Sequence, residues 1–198
     1  VKSNIPQTLE KAMAAAESDL KDGVWFVFEE QIDLETQGEY GGIRQIYRAG
    51  IGPKLKQLKK AQIINFDLGI GDPITPKAVA TGMPSLLSKE ELSWSVYPIE
   101  TMIAEKIHAL ISLGAANSRA KDVYDLMVFL PKSDGKTLGQ ALAKTFKFRD
   151  TELPKDPAGF ISGLDTKTLE RGWKRAVATI ENAPAFDKSI SKVVTMLL

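Results

Sequence analysis

The chain has 198 residues, 43% of them hydrophobic and 26% charged, with a formal net charge of +1. That length supports one sizeable core, and the near balance of charge excludes a strong whole-protein field for nonspecific nucleic-acid or membrane binding. Cysteine is absent and His108 is the single histidine, which excludes disulfides, zinc-thiolate sites and two-histidine metal motifs and is compatible with a cytoplasmic location.

The first stretch, QTLEKAMAAAESDLK (7–21), is rich in helix formers and is stopped by Asp22-Gly23. No apolar h-region of a signal peptide lies there, and no apolar run anywhere is long enough to predict a transmembrane helix. VWFVFEEQIDLE and IRQIYRAGI, separated by TQGEYGG, predict a β-hairpin whose WFVF run is core. GPKLKQLKK reads as a solvated basic connection, with a nucleic-acid role as the alternative. AQIINFDLGIGDPITP is a third strand, with Ile64, Phe66, Leu68 and Ile70 on one face and Asn65, Asp67 and Gly69 on the other. Residues 77–95 are mixed, with one further strand near LSWSVYP.

Two helices follow, at about 98–113 and 119–130, closed by Pro131 and a Ser-Asp-Gly turn. TLGQALAKTFKF is another helix, TELPKDPAGFISG a proline-bearing loop, and DTKTLERGWKRAVATIENA and FDKSISKVVTML two more helices. Strands precede helices, so the class is α+β. The expected organisation is an α/β region over 1–96 and a helical region over 97–198.

Polar residues interrupt the apolar pattern in three elements. On a helical wheel with Ile99 at about 0°, Met102, Ile103, Ile107 and Leu110 lie between about 300° and 80°, and Lys106 falls at about 340°, inside that arc. His108, at about 180°, is expected on the surface. On the second helix, Arg119 lies at the centre of the apolar arc, Asp122 at about 300° and Asp125 at its edge near 240°. Asp67 sits mid-strand, where a carboxylate is disfavoured, and Gly69 leaves open space beside it. An unpaired buried ammonium is too costly to keep, so Lys106 either snorkels or is paired. The residues leave two readings open: a structural Lys106–Asp122 pair with Asp67 facing water, or a functional cluster.

The three blocks INFDLGIGDPITP, YPIETMIAEKIHAL and SRAKDVYDLMVF together resemble the AbiEii/AbiGii nucleotidyltransferase-like toxin family, in matching order and spacing over about residues 20 to 180. Trp173 fits a tryptophan of that family's helical part. The resemblance implies a polymerase-β-like fold, a mixed or antiparallel sheet followed by a helical bundle. It implies transfer of a nucleotide from a nucleoside triphosphate to RNA (such as tRNA) or protein, in the cytoplasm of a bacterium, with Mg2+ bound by a D-x-D pair and a third acid. It further implies a cognate antitoxin. Asp67 matches the third acid and metal ligand, and Lys106 the helix lysine. Arg119, Lys121, Asp122 and Asp125 match the last motif, and Asp72 is an accessory candidate. The chain departs from the family in one respect: it contains neither Gly-Ser nor D-x-D, and Asp33-Leu34-Glu35 is a decoy inside a strand. Together with the valine at position 1, this leads us to expect a fragment that lacks two of three metal ligands and is inactive alone. A non-catalytic module binding a partner or RNA is the alternative.

Overall fold

The computed structural model describes residues 5–19, 21–35, 41–69, 71–85 and 89–198. The side chains of 5, 6, 35 and 41 are outside the description, as are the hairpin turn and Ile70, which the sequence reading assigned. The class is α+β as expected, and every described strand pairing is antiparallel. The chain divides into two compact units, Val1–Asp72 and Pro73–Leu198.

The first unit holds α1 (Ile5–Glu17), β1 (Val24–Glu35), β2 (Gly41–Ile51) and β3 (Gln62–Gly69), with the sheet ordered β1-β2-β3. The helix ends at Glu17, four residues before the end of the 7–21 stretch read as helical. Glu17 at its end accepts a hydrogen bond from the Phe28 backbone N–H (2.8 Å), next to the bulge between Phe28 and Glu30. Alternation puts Tyr47 on one face, where its ring meets Phe28 (5.6 Å), Phe66 (5.5 Å) and Phe26 (6.2 Å) edge-on. Such offset pairs each add roughly 0.5–1.5 kcal/mol beyond area burial. Burial and the charge of Glu17 push the Tyr47 phenol above its ordinary pKa, and its hydroxyl donates to Gln45 Oε1 at 3.0 Å. The opposite face carries the register pairs Arg44↔Asp67 and Ile46↔Asn65.

The second unit opens with the two-stranded sheet β4 (Val79–Pro84) and β5 (Glu91–Val96). The stretch read as mixed therefore contains a strand that the sequence reading missed. Six helices follow: α2 (Ile99–Leu113), α3 (Ala120–Phe129), α4 (Gly135–Phe148), α5 (Pro157–Ser162), α6 (Lys167–Ala176) and α7 (Phe186–Leu197). Their core holds Ile103, Ile107, Leu110, Val123, Leu126 and Val193, all fully buried. Each contributes about 1.5–3 kcal/mol of apolar burial. Thr101, also fully buried, clasps the backbone of Thr75: its hydroxyl accepts from the Thr75 N–H (2.8 Å) and donates to the Thr75 carbonyl (2.7 Å). Trp173 stacks edge-on against Phe186 and donates its indole N–H to the Pro184 carbonyl at 3.0 Å.

Two expectations are corrected here. Residues 151–163 are not all loop, because α5 forms within them. Asp156 caps it by accepting from the Gly159 N–H (2.8 Å), and Pro157 takes the first helical position, where its missing N–H costs nothing. His108 is not a surface residue but 6% exposed. α4 packs on the side of α2 that the wheel leaves polar, and the imidazole lies edge-on to Phe146 at 4.9 Å. Arg149 Nη1 can only donate, so Nδ1 (3.2 Å) accepts, and Nε2 carries the proton toward Thr151 Oγ1 (3.1 Å).

Candidate functional site

α2 and α3 bring five of the six singled-out residues together. Lys106 Nζ donates to Asp122 Oδ1 (2.6 Å) and to Asp125 Oδ2 (2.8 Å). The remaining oxygen of each acid takes a second cation: Arg119 Nε donates to Asp122 Oδ2 (2.7 Å), and Lys121 Nζ donates to Asp125 Oδ1 (2.6 Å). The result is an unbroken ladder, Arg119–Asp122–Lys106–Asp125–Lys121, with charges alternating plus and minus. The inner three side chains are 17%, 6% and 14% exposed for Lys106, Asp122 and Asp125, while the outer cations are each 60% exposed.

Helical spacing explains the geometry. Asp122 and Asp125 are three apart, so both point to the same side of α3 toward α2, and Lys121 reaches Asp125 four residues on. Arg119 does not lie on the buried face that the wheel assigned to it. α3 begins at Ala120, so Arg119 precedes the helix with non-helical backbone, and its side chain folds outward. Asn117 holds that turn. It is fully buried, its Nδ2 donates to the Ala109 carbonyl (3.1 Å), and its Oδ1 accepts from the Arg119 N–H (2.8 Å). Asn117 lies between the two helices read from the sequence, in a stretch to which no role was assigned. Beside Lys106, Glu105 accepts a hydrogen bond from the Tyr97 hydroxyl.

Burial works against the charge on Lys106, but the hydrogen bonds and charges of Asp122 and Asp125 outweigh it and raise the ammonium above the ordinary lysine pKa. For Asp125, burial works to raise the carboxyl, and the bonds from Lys106 and Lys121 reverse that to leave it below the ordinary range. Lys106 is therefore a fixed cation and hydrogen-bond donor rather than a base. Two of its three N–H bonds are used within the ladder. A positioned cation of this kind can stabilise charge developing on phosphate oxygens.

Asp67 lies in the other unit. Arg44, its cross-strand neighbour, grips both carboxylate oxygens, Nε to Oδ1 at 2.6 Å and Nη2 to Oδ2 at 2.7 Å. The sequence reading did not single out Arg44. The guanidinium bond holds the Asp67 carboxyl below its usual range. A Cβ at Gly69 would meet only Asp72 Oδ2, at 3.8 Å, so the space beside the strand is open.

A magnesium ion takes oxygen ligands, one or two of them carboxylates beside waters and substrate phosphates. Among the described residues no three His, Cys, Asp or Glu side chains come together to hold a metal. Both oxygens of Asp67 are engaged by Arg44. The described residues do not by themselves fit a magnesium ion. No helix among the described residues is long and apolar enough to cross a membrane.

With the geometry in place, comparison with known proteins assigns a class: residues 2–192 match a nucleotidyl transferase family model. The chain belongs to the AbiEii toxin family, the nucleotidyl transferase toxins of type IV toxin–antitoxin systems. No curated protein matches it.

Proposed function

We propose that this chain is the part of a nucleotidyl transferase toxin that holds the phosphates of a nucleoside triphosphate during transfer of a nucleotide to RNA or protein. The observation that carries this reading is the ladder. Two cations, Arg119 and Lys121, are held at the surface on either side of a half-buried lysine that is clamped between two carboxylates. In this reading Lys106, with Arg119 and Lys121, meets phosphate oxygens, Asp122 and Asp125 position those cations, and Asp67 is the catalytic carboxylate contributed by β3. Dependence on Mg2+ and the identity of an antitoxin partner belong to the same proposal. Since these 198 residues contain no D-x-D, transfer would draw on carboxylates outside them, and the chain alone would be inactive.

The test is made in the intact toxin. Asp67→Ala and Lys106→Met proteins are expressed in cells, and growth arrest is scored alongside incorporation of labelled nucleotide. Both activities should disappear, with Asp67→Ala as stable as the parent and Lys106→Met assayed at a temperature where circular dichroism shows it folded. A toxic Asp67→Ala protein would sink the proposal.

One observation favours a second reading, a module that keeps the fold but performs no chemistry: each oxygen of Asp67 already accepts a hydrogen bond from Arg44. Absence of a D-x-D from the full-length protein would decide for it.

A further inference from the structure

Helix α6 is divided lengthwise. On a wheel with Lys167 at about 0°, Lys174 lies at about 340°, Arg171 at about 40° and Arg175 at about 80°, so four cations occupy roughly 100° of the circumference. Leu169 and Trp173, at about 200° and 240°, are buried on the opposite side. All four cations are exposed. Among the described residues, Lys174 and Arg175 make no side-chain hydrogen bond or ion pair. Arg171 reaches only the Thr168 hydroxyl (3.2 Å), and Lys167 only Asp165 at 3.8 Å.

Like charges at i, i+4 oppose a helix, and a cation at its first position opposes the macrodipole. Lys174 and Arg175 are explained by the dipole at the C-terminal end, but Lys167 and Arg171 are not. The flank of α6 beside the stripe, at about 140° on the wheel, packs against the start of α3. Gly172 sets the backbone of α6 against Ala120, with a virtual Cβ 3.4 Å from the Ala120 methyl. Ala120 is the residue between Arg119 and Lys121, whose cations are exposed.

We propose that the exposed face of α6 binds the sugar–phosphate backbone of RNA and leads it toward Arg119 and Lys121. Charges spaced about 6 Å apart along a rod, as i and i+4 are, suit a linear polyanion, whose phosphates repeat, better than an isolated acidic side chain. A lipid surface is disfavoured because the apolar side of α6 is already committed to the core, so no apolar face remains to enter a bilayer. Taking this RNA as the acceptor rests on the transferase reading; its capture by α6 does not.

The test is fluorescence anisotropy of a fluorescein-labelled RNA hairpin titrated with the full chain across a salt series. The Arg171→Gln/Lys174→Gln/Arg175→Gln protein should bind at least tenfold more weakly. The slope of log Kd against log salt should fall by about two to three, because each lost phosphate contact removes close to one unit. If the triple variant misfolds by circular dichroism, Lys174→Gln alone should still weaken binding about threefold. Lys144→Gln/Lys147→Gln on α4 should bind as the parent does. Equal affinity of parent and α6 variant, an equal loss in the α4 variant, or tighter binding of poly-glutamate than of RNA overturns the proposal. Asp67→Asn in the intact toxin, assayed for both RNA binding and nucleotide transfer, separates the two inferences. Retained RNA binding with lost transfer supports both, and retained transfer sinks only the catalytic reading.

Discussion

Arg44 and Asp67 face each other across β2 and β3, and the guanidinium closes on both oxygens of the carboxylate. The arrangement fixes the rotamer of Asp67 on a strand that is otherwise largely exposed. Because both groups are solvated, removing the pair should hardly move the thermal midpoint of the chain. Arg44→Met should return the Asp67 carboxyl to the ordinary aspartate range, readable by carboxyl NMR against pH. The sign follows from linkage: a depressed carboxylate stabilises the fold above about pH 3.9, and that contribution fades as the pH falls through its folded value. An Asp67 that titrates identically in parent and variant would show that the bidentate contact does not persist in solution.

Lys106→Met should be the most damaging single change in the ladder. It removes the cation shared by Asp122 and Asp125 and leaves two largely buried carboxylates facing the space it occupied. Breaking a fully buried pair costs about 3–5 kcal/mol, and the residual exposure here lowers the expectation to about 2–3 kcal/mol. Chemical denaturation measures it. A combined Lys106→Met/Asp122→Asn/Asp125→Asn protein should recover part of the loss, since no uncompensated charge then remains.

The ladder has a defined pH window. Asp125 is depressed, so its contribution is complete above about pH 3.9 and is lost as the pH drops through the folded value. Lys106 is raised, so its contribution is complete below about pH 10.4 and is lost as the pH climbs through its folded value. The difference in thermal midpoint between the parent and Asp125→Asn should be flat through neutrality and shrink in strong acid. A difference that grows on acidification would contradict the assignment.

Asn117→Ala should destabilise the second unit by about 2–3 kcal/mol, because it leaves the Ala109 carbonyl and the Arg119 N–H without their buried partner. The same variant should loosen Arg119, and hydrogen exchange at the α3 N-terminus should rise. Slow exchange there, unchanged from the parent, would mean that the turn is held by something else.

The elements legible in the sequence were those with strong periodicity. The β1–β2 hairpin, β3, α2 and α3 follow from alternation and from apolar spacing, and so does the anomaly of Lys106. The wheel identifies Asp122 as its partner, and Asp125, placed at the edge, joins as a second. What escaped detection depends on neighbours far along the chain. His108 is buried because α4 covers a side of α2 that its own sequence leaves polar. Arg44 becomes visible only once the strand register is known. Asn117 acts through the Ala109 carbonyl eight residues away, a contact without a pattern of its own. β4 has Ala, Gly and Pro among its six residues, VATGMP, and so lacks the alternating apolar and aromatic run that marks β5, ELSWSV, as a strand. Pro154 and Pro157 read as loop in the sequence, although Asp156 and Pro157 together form the start of α5.

The alternation of the ladder has a mechanical side. Its two ends are exposed cations and its middle is a cation that stays in place, so either end can change partners without stranding an acid. If an incoming anion draws Arg119 away, Asp122 still rests on Lys106, and if Lys121 is drawn away, Asp125 does too. The inner lysine acts as ballast: it lets the outer pair be mobile and repeatedly reusable while the helices beneath them keep their spacing.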